Sequence, residues 1–200
     1  MKLILATKNK DKVREMKELL RDLPLEILSA ADFPELPDIE EDGDTLEQNA
    51  IKKAKTIYEI TGIFSLADDT GLEVDALDGQ PGVFSSRFSG ENATYDDNVA
   101  KLLRMMENVP DDERSARFRT VIAIIGDDFQ QTTEGICPGV ITRERRGDRG
   151  FGYDPIFFVP EYDQTFAEMD LELKNKISHR GRALQKAKQI LEKYSKQISQ

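Results

Sequence analysis

This chain of 200 residues contains one cysteine, Cys137, and one histidine, His179. A single cysteine can neither close an internal disulfide nor build a thiolate metal cluster, which fits a reducing compartment. A lone histidine without cysteine partners makes a poor zinc site. Long apolar runs are missing as well. The stretch 121–125 falls far short of a membrane span, and residues 1–6 are too short an apolar lead for a signal peptide before charge resumes at Lys8. The chain is therefore expected to be cytoplasmic, with no membrane partner, and Asn92-Ala93-Thr94 is then only a chance glycosylation match. Positive charge is in short supply: 28 Lys and Arg face 38 Asp and Glu, for a net charge of −10. Proteins that bind duplexes carry a basic face, so nucleic acid is not the expected partner. An anionic phosphate substrate remains open only with a local cation cluster or a divalent metal. Neither G-x-x-x-x-G-K-[ST] nor G-x-S-x-G occurs, which removes the P-loop and the serine elbow of α/β-hydrolases.

What is present is an ordinary globular composition, 38% hydrophobic and 33% charged. The length suits one domain, spanning residues 1–200, with a core that needs no disulfide or structural metal. Residues 2–6 read as a short buried strand, 7–12 as a polar loop, 12–20 as a helix on Val13, Met16, Leu19 and Leu20, and 25–28 as a second strand. Residues 31–44, rich in proline and acid, read as a loop. Thr45 can cap the next helix with Gln48 at the capping-box position, and Ala50, Ala54 and Ile57 mark its buried face. Residues 63–67 read as a strand ending at Asp68-Asp69-Thr70-Gly71. A helix follows at 96–106, then a hairpin of 118–126 and 131–136 turning near Asp127-Asp128, and a third strand at 139–145. The loop 149–155 leads on to a closing helix at 178–195, with Ala183, Leu184, Ala187, Ile190, Leu191 and Tyr194 on one stripe. The fold class is mixed α/β.

Four segments could carry chemistry. Thr7-Lys8-Asn9-Lys10-Asp11-Lys12 lies between a strand and a helix, where amides, a hydroxyl and lysines can hold a polyphosphate; the same residues would also suit a solvated turn with an Asn cap. The acid run Glu40-Glu41-Asp42-Gly43-Asp44 would by itself be a solvated loop. Its interest lies in the second acid pair, Asp68-Asp69, at a strand end where α/β folds place ligands. Hard oxygen donors from two loops suit Mg²⁺, and Lys52 or Lys53 can face the same place. In Gly150-Phe151-Gly152-Tyr153-Asp154-Pro155, glycines let backbone approach a flat ligand while a ring stacks on it, although a tight turn with core aromatics is the plainer reading. The fourth segment, Lys174 to Arg180, offers Lys174, His179 and Arg180 as donors to carbonyl or phosphate oxygens, or His179 as a mere packing residue.

Taken in series, these segments resemble the inosine triphosphate pyrophosphatase family over nearly the whole chain. The opening T/S-x-N-x-x-K is Thr7 to Lys12, with Glu15 a helical turn on. The acid stretch and helix follow as Glu41 to Ala54, with one extra residue, Gln48, where the family usually has Glu directly before Asn. A-D-D-[ST]-G-L is Ala67 to Leu72, followed by Pro81-Gly82-Val83 and Ser85-Ser86-Arg87-Phe88, in which Ser86 replaces a frequent alanine. F-G-Y-D-P is intact, and Lys174 with Ser178-His179-Arg180 matches K-x-x-x-S-H-R. The resemblance implies an elongated α/β fold with a mixed central sheet flanked by helices, two lobes with an active-site cleft between them, and a homodimer. It implies Mg²⁺-dependent hydrolysis of ITP, dITP and XTP to the monophosphate and pyrophosphate. Asp69 is then the proton acceptor and a metal ligand, Glu41 the second metal carboxylate and Asp68 a supporting one. Thr7, Asn9, Lys12, Lys53 and Thr70 then hold the phosphates, and Lys8, Lys10 and Asp11 of the opening loop are substrate-binding as well. Phe151, Gly152, Tyr153, Asp154, Lys174, His179 and Arg180 surround the purine. Two alternatives stay open: a Maf-like pyrophosphatase of other specificity, and a nucleotide-binding module without turnover.

Overall fold

The computed structural model describes residues 1–198. The chain forms two compact units, one of Met1–Asp69, Thr120–Gly135 and the chain from His179 onward, the other of Thr70–Arg119 and Ile136–Ser178.

The first unit is built around β1 (Lys2–Leu5), whose Leu3, Ile4 and Leu5 are fully buried. Such an unbroken apolar run marks a strand covered on both faces. It pairs in parallel with β2 (Glu26–Ser29) on one side and with the start of β3 (Ser65–Val74) on the other. Parallel neighbours need crossovers, and these are α1 (Lys10–Leu20) and α2 (Leu46–Thr61). The Asn9 side chain caps α1 by accepting from the Asp11 and Lys12 amides at 3.0 and 3.2 Å. Thr45 caps α2, and Gly62, at φ 64°, ends it in the left-handed conformation. Gln48 completes no box with Thr45, because its Oε1 accepts from the Asp44 amide instead, at 2.8 Å. The closing helix α5 (His179–Ile198) lays Ala183, Leu184, Ala187 and Leu191 into the core formed by Leu3, Leu5, Met16, Leu66, Ile122 and Ile124.

In the second unit, β4 (Pro81–Gly82) pairs antiparallel with Leu72 and Glu73 of β3 after a cis Gln80–Pro81 bond. Helix α3 (Tyr95–Met105) carries a full capping box of Thr94 and Asp97 and buries Val99 and Leu102. The long strands β5 (Ser115–Gly126) and β6 (Phe129–Ile141) form a hairpin with Asp128 at φ 50°, and their outer halves belong to this unit. The short β7 (Phe157–Val159) adds antiparallel to β6 and β8 (Gln164–Thr165) antiparallel to β7, and α4 (Leu171–Ile177) follows. Phe118, Phe157 and Phe166 form the aromatic centre of this core, with ring centroids 4.6 to 5.8 Å apart. Arg114 is a buried staple whose guanidinium donates to the carbonyls of Met106, Val109, Ile141 and Thr142. Overall the strands run β2-β1-β3-β5-β6-β7-β8, with β4 beside β3, in one mixed sheet.

Several boundaries differ from the sequence reading: β5 begins at Ser115 and β6 at Phe129, β7, β8 and α4 have no counterpart in it, and three further differences alter the local structure. The loop after β1 is only four residues long, 6–9, because Asn9 caps α1 and the helix starts at Lys10. β3 does not stop at Ala67 but runs through Asp68, Asp69, Thr70 and Gly71 to Val74. No separate strand begins at Gly139: β6 continues through Pro138 and Gly139. A glycine is needed there because a Cβ would lie 2.5 Å from the Phe157 ring.

Candidate active site

Strand β3 explains why two adjacent aspartates have different neighbours. Successive side chains on a strand point to opposite faces, so Asp68 and Asp69 are presented to different helices. The β1 pairing covers only Ser65 and Leu66. Both acids therefore sit just beyond the end of the parallel neighbour, beside the turn that starts α1. This is the carboxyl-end position typical of α/β ligand sites.

On one face, the Asp68 carboxylate, fully buried at its side chain, receives Lys12 Nζ at 3.1 Å and the Arg180 guanidinium at 3.2 and 3.3 Å. Arg180 also donates to Glu15 Oε2 at 2.6 Å. Burial alone would raise the Asp68 pKa, but Lys12, Arg180 and Lys53 overcome it and hold the group well below the usual carboxylate range. Arg180 is raised in turn: burial opposes its charge, and Glu15 and Asp68 outweigh burial.

On the other face, Lys53 from α2 donates to Glu41 Oε1 at 2.5 Å, to the Asp68 carbonyl at 2.6 Å and to Asp69 Oδ1 at 3.3 Å. Asp69 Oδ2 accepts from Asn49 Nδ2 at 3.1 Å, and Asn49 Oδ1 accepts from the Gly43 amide at 2.8 Å. Burial raises Asp69 above the ordinary carboxylate value; Lys53 opposes this and Glu41 adds to it. Burial acts in the same direction on Glu41, yet the contact with Lys53 prevails and lowers it. The two acids share one ammonium, and the balance lowers Glu41 while it leaves Asp69 raised. Glu41 and Asp69 converge on the same point, and hard carboxylates of this kind suit Mg²⁺, which takes one or two of them and fills its other positions with phosphate and water. The donor set fits that ion.

Not every residue of the opening loop joins this cluster. Lys8 bonds the Leu36 carbonyl at 3.1 Å and Asp38 at 2.8 Å. Lys10 is exposed in the first turn of α1, and Asp11 lies 3.6 Å from Arg14. The hydroxyl of Thr7 accepts from the Asn9 amide at 3.1 Å, and Asn9 spends its carbonyl on the cap. Thr70 follows Asp69 in β3 and is half-buried. His179 is buried as the first residue of α5. Arg180, expected beside a purine, has its guanidinium committed to two buried carboxylates instead.

The expected purine-side residues of the second unit form their own group. Lys174 Nζ lies 2.6 Å from Asp154 Oδ2 and 4.9 Å from the centroid of the Phe151 ring. Asp154 Oδ2 also accepts from the Phe151 amide at 2.8 Å. Gly150, at φ 71°, permits this: a Cβ there would meet Asp154 Oδ2 at 2.0 Å. Gly152 likewise takes a positive φ, 61°. Tyr153 turns the other way, into the core, where its hydroxyl donates to the Ser85 carbonyl at 3.0 Å and burial pushes its pKa up. The ring of Phe151 also meets that of Tyr95 at 5.9 Å. Asn49, Tyr95 and Glu15 also take part in these contacts, and nothing in the sequence alone assigns them a place there.

A mixed parallel and antiparallel sheet with lysine-bridged carboxylates just past the end of a parallel neighbour defines a class, α/β proteins with a polar site at the carboxyl end of a central strand. Within that class the chain belongs to the Ham1 family, whose model matches residues 3–190. It is 57% identical to a dITP/XTP pyrophosphatase of Desulforamulus reducens over 192 residues, 96% of each chain. It is 54% identical to the dITP/XTP pyrophosphatase of Geobacter sulfurreducens over 184 residues, 92% of each. Among solved structures, a Ham1 protein from Coxiella burnetii superposes with a TM-score of 0.88 at 45% identity, covering 96% of this chain and 99% of that one. A dITP/XTP pyrophosphatase from Mycobacterium abscessus gives 0.75 at 39% identity, covering 94% and 98%.

Proposed function

We propose that this protein hydrolyses dITP, XTP and ITP to the nucleoside monophosphate and pyrophosphate, with Mg²⁺ as cofactor, and so clears non-standard purines from the cytoplasmic nucleotide pool. The observation that carries this reading is the Glu41–Lys53–Asp69 cluster, set against Lys12 and Asp68 in a chain so similar to dITP/XTP pyrophosphatases. Water attacks the α-phosphorus, the bond from that phosphorus to the bridging oxygen breaks, and pyrophosphate leaves with the electron pair. Asp69 accepts the proton of the attacking water; burial raises its pKa, which makes it a better base than an exposed aspartate. Lys12 and Lys53 set fixed positive charge against the phosphate oxygens, which costs no reorganisation during the reaction. Glu41 and Asp69 are the residues that would hold Mg²⁺, which would supply Lewis-acid stabilisation of phosphate charge. In the second unit, Phe151 is the proposed stacking surface. Lys174 and the amides near Gly152 are the proposed donors to a 6-oxo group, which adenine lacks. The active form is proposed to be a homodimer, a point that light scattering decides.

The test is pyrophosphate release with Mg²⁺ across dITP, XTP, ITP, ATP and GTP. Expected is strong preference for the first three over ATP and a smaller preference over GTP. Asp69→Asn, which keeps the size of the side chain and removes its charge, should lose nearly all turnover. Survival of dITP hydrolysis within a few-fold would show that Asp69 is not the base.

A further inference from the structure

We infer that Asn49 is a positioning residue, whose single amide sets the Asp69 carboxylate and the Glu41 loop against the same lysine. Its side chain is fully buried in the first half of α2. Nothing in the helix itself calls for it. The cap is Thr45, and the Asn49 backbone amide is already satisfied by the Thr45 carbonyl at 3.2 Å. Asparagine is a poorer helix former than alanine. The compensation is tertiary. Nδ2 donates to Asp69 Oδ2 at 3.1 Å, leaving Oδ1 of the same carboxylate to Lys53 at 3.3 Å, so both oxygens are held and the plane of the group is fixed. Oδ1 accepts from the Gly43 amide, which pins the loop two residues beyond Glu41. Glu41 in turn reaches the same Lys53.

Gly43 gives the independent sign of this clamp. Its backbone does not take the left-handed conformation, so a side chain there is not excluded by φ. It is excluded by proximity: a Cβ would lie 2.7 Å from Asn49 Oδ1 and 2.9 Å from the Gln48 Cβ. The loop has a glycine because the amide must come that close.

The inference rests on the reading of Asp69 and Glu41 given above, and its test separates the two. Asn49→Leu removes both hydrogen bonds while filling the volume. Asn49→Asp keeps an acceptor for the Gly43 amide but turns a second carboxylate oxygen toward Asp69. Each variant is assayed for dITP turnover with Mg²⁺, for melting temperature, and for Mn²⁺ affinity by calorimetry without nucleotide. Groups that orient metal-binding carboxylates are typically worth about 10–100-fold in activity or metal affinity. Asn49→Leu should therefore lose that much kcat, with KM for dITP changed by no more than about three-fold, and should bind Mn²⁺ correspondingly more weakly. Asn49→Asp should fall as far in kcat although its loop contact survives, and Gly43→Ala should reproduce the defect by displacing the amide. A kcat for Asn49→Leu within two-fold of wild type overturns the inference, as does a loss confined to melting temperature. Should the wild-type protein turn over none of these nucleotides, the functional reading falls, and equal Mn²⁺ affinity in wild type and Asn49→Leu would then overturn the positioning role on its own.

Discussion

Arg180 reads from its position beside His179 as a donor to a purine carbonyl, yet its guanidinium is buried between Glu15 and Asp68. A guanidinium fork can serve two carboxylates at once, a geometry that a lysine ammonium cannot copy. Removing it leaves two buried charges with one cation fewer, and breaking a buried pair costs about 3–5 kcal/mol. Arg180→Ala should therefore lower unfolding free energy by roughly that amount in denaturant titration. It should lower ITP and ATP hydrolysis in similar proportion, leaving their ratio near the wild-type value. A fall in the ITP to ATP ratio with stability intact would return Arg180 to the base-reading role. Glu15 belongs to the same argument. Its place a helical turn after Lys12 follows from helical spacing, but only the tertiary structure shows it meeting a residue 165 positions away.

Among the elements, those with local signals were legible from sequence. Asn9 and Thr45 are caps, β1 is a short buried run, and Ala183, Leu184, Ala187 and Leu191 form the stripe of α5. The structure departs from the local signals where pairing overrides propensity. Asp68-Asp69-Thr70-Gly71 is as polar as a loop, yet it stays in β3, with β4 pairing at Leu72 and Glu73 just beyond it. Pro138 and Gly139 look like a strand break, and β6 passes through them. The Lys53 cluster was legible as residue types and spacing, whereas its bridging amide was not, because Asn49 carries no charge and sits in a helix that reads well without it. The approach of β6 to α5 is a further feature invisible in sequence. At Gly135 a Cβ would fall 2.0 Å from the His179 carbonyl and 2.5 Å from the Ala183 amide, and Thr133 Oγ1 donates to the Ala183 carbonyl at 2.9 Å. These are backbone atoms of the first turns of α5, so neither partner can swing aside. Gly135→Ala should force the strand and helix apart at a cost of about 1–3 kcal/mol or more. Arg180 would be displaced with the helix, so the substitution should depress turnover as well as melting temperature. A variant with wild-type melting and wild-type kcat would show that the two elements can part freely there.

For the whole molecule, a net charge of −10 makes buried carboxylates a matter of folding stability as well as chemistry. Asp68 and Asp69 should act in opposite directions. Asp68 is held below its ordinary value of 3.8 in the folded chain, so it favours folding at pH values above that, and the contribution is lost as acid protonates the folded form. Asp69 is raised in the folded chain, so its ionised form opposes folding at neutral pH, and the opposition disappears as pH falls and the group takes up its proton. With divalent cations removed by EDTA, Asp68→Asn should melt well below wild type at pH 7, because Lys12 and Arg180 lose their shared partner. That gap should narrow as pH drops below 3.8. Asp69→Asn should melt at or above wild type at pH 7, and its advantage should vanish on acidification, when wild-type Asp69 is neutral too. Adding Mg²⁺ should then favour wild type alone, since an ion bound at Glu41 and Asp69 stabilises the folded state in proportion to its occupancy. This is the pattern expected where a catalytic group is kept at some expense of stability. A melting temperature for Asp69→Asn several degrees below wild type at pH 7 in EDTA would mean that its contacts with Lys53 and Asn49 outweigh the burial of its charge, and Asp69 would then count as a structural carboxylate in the metal-free protein.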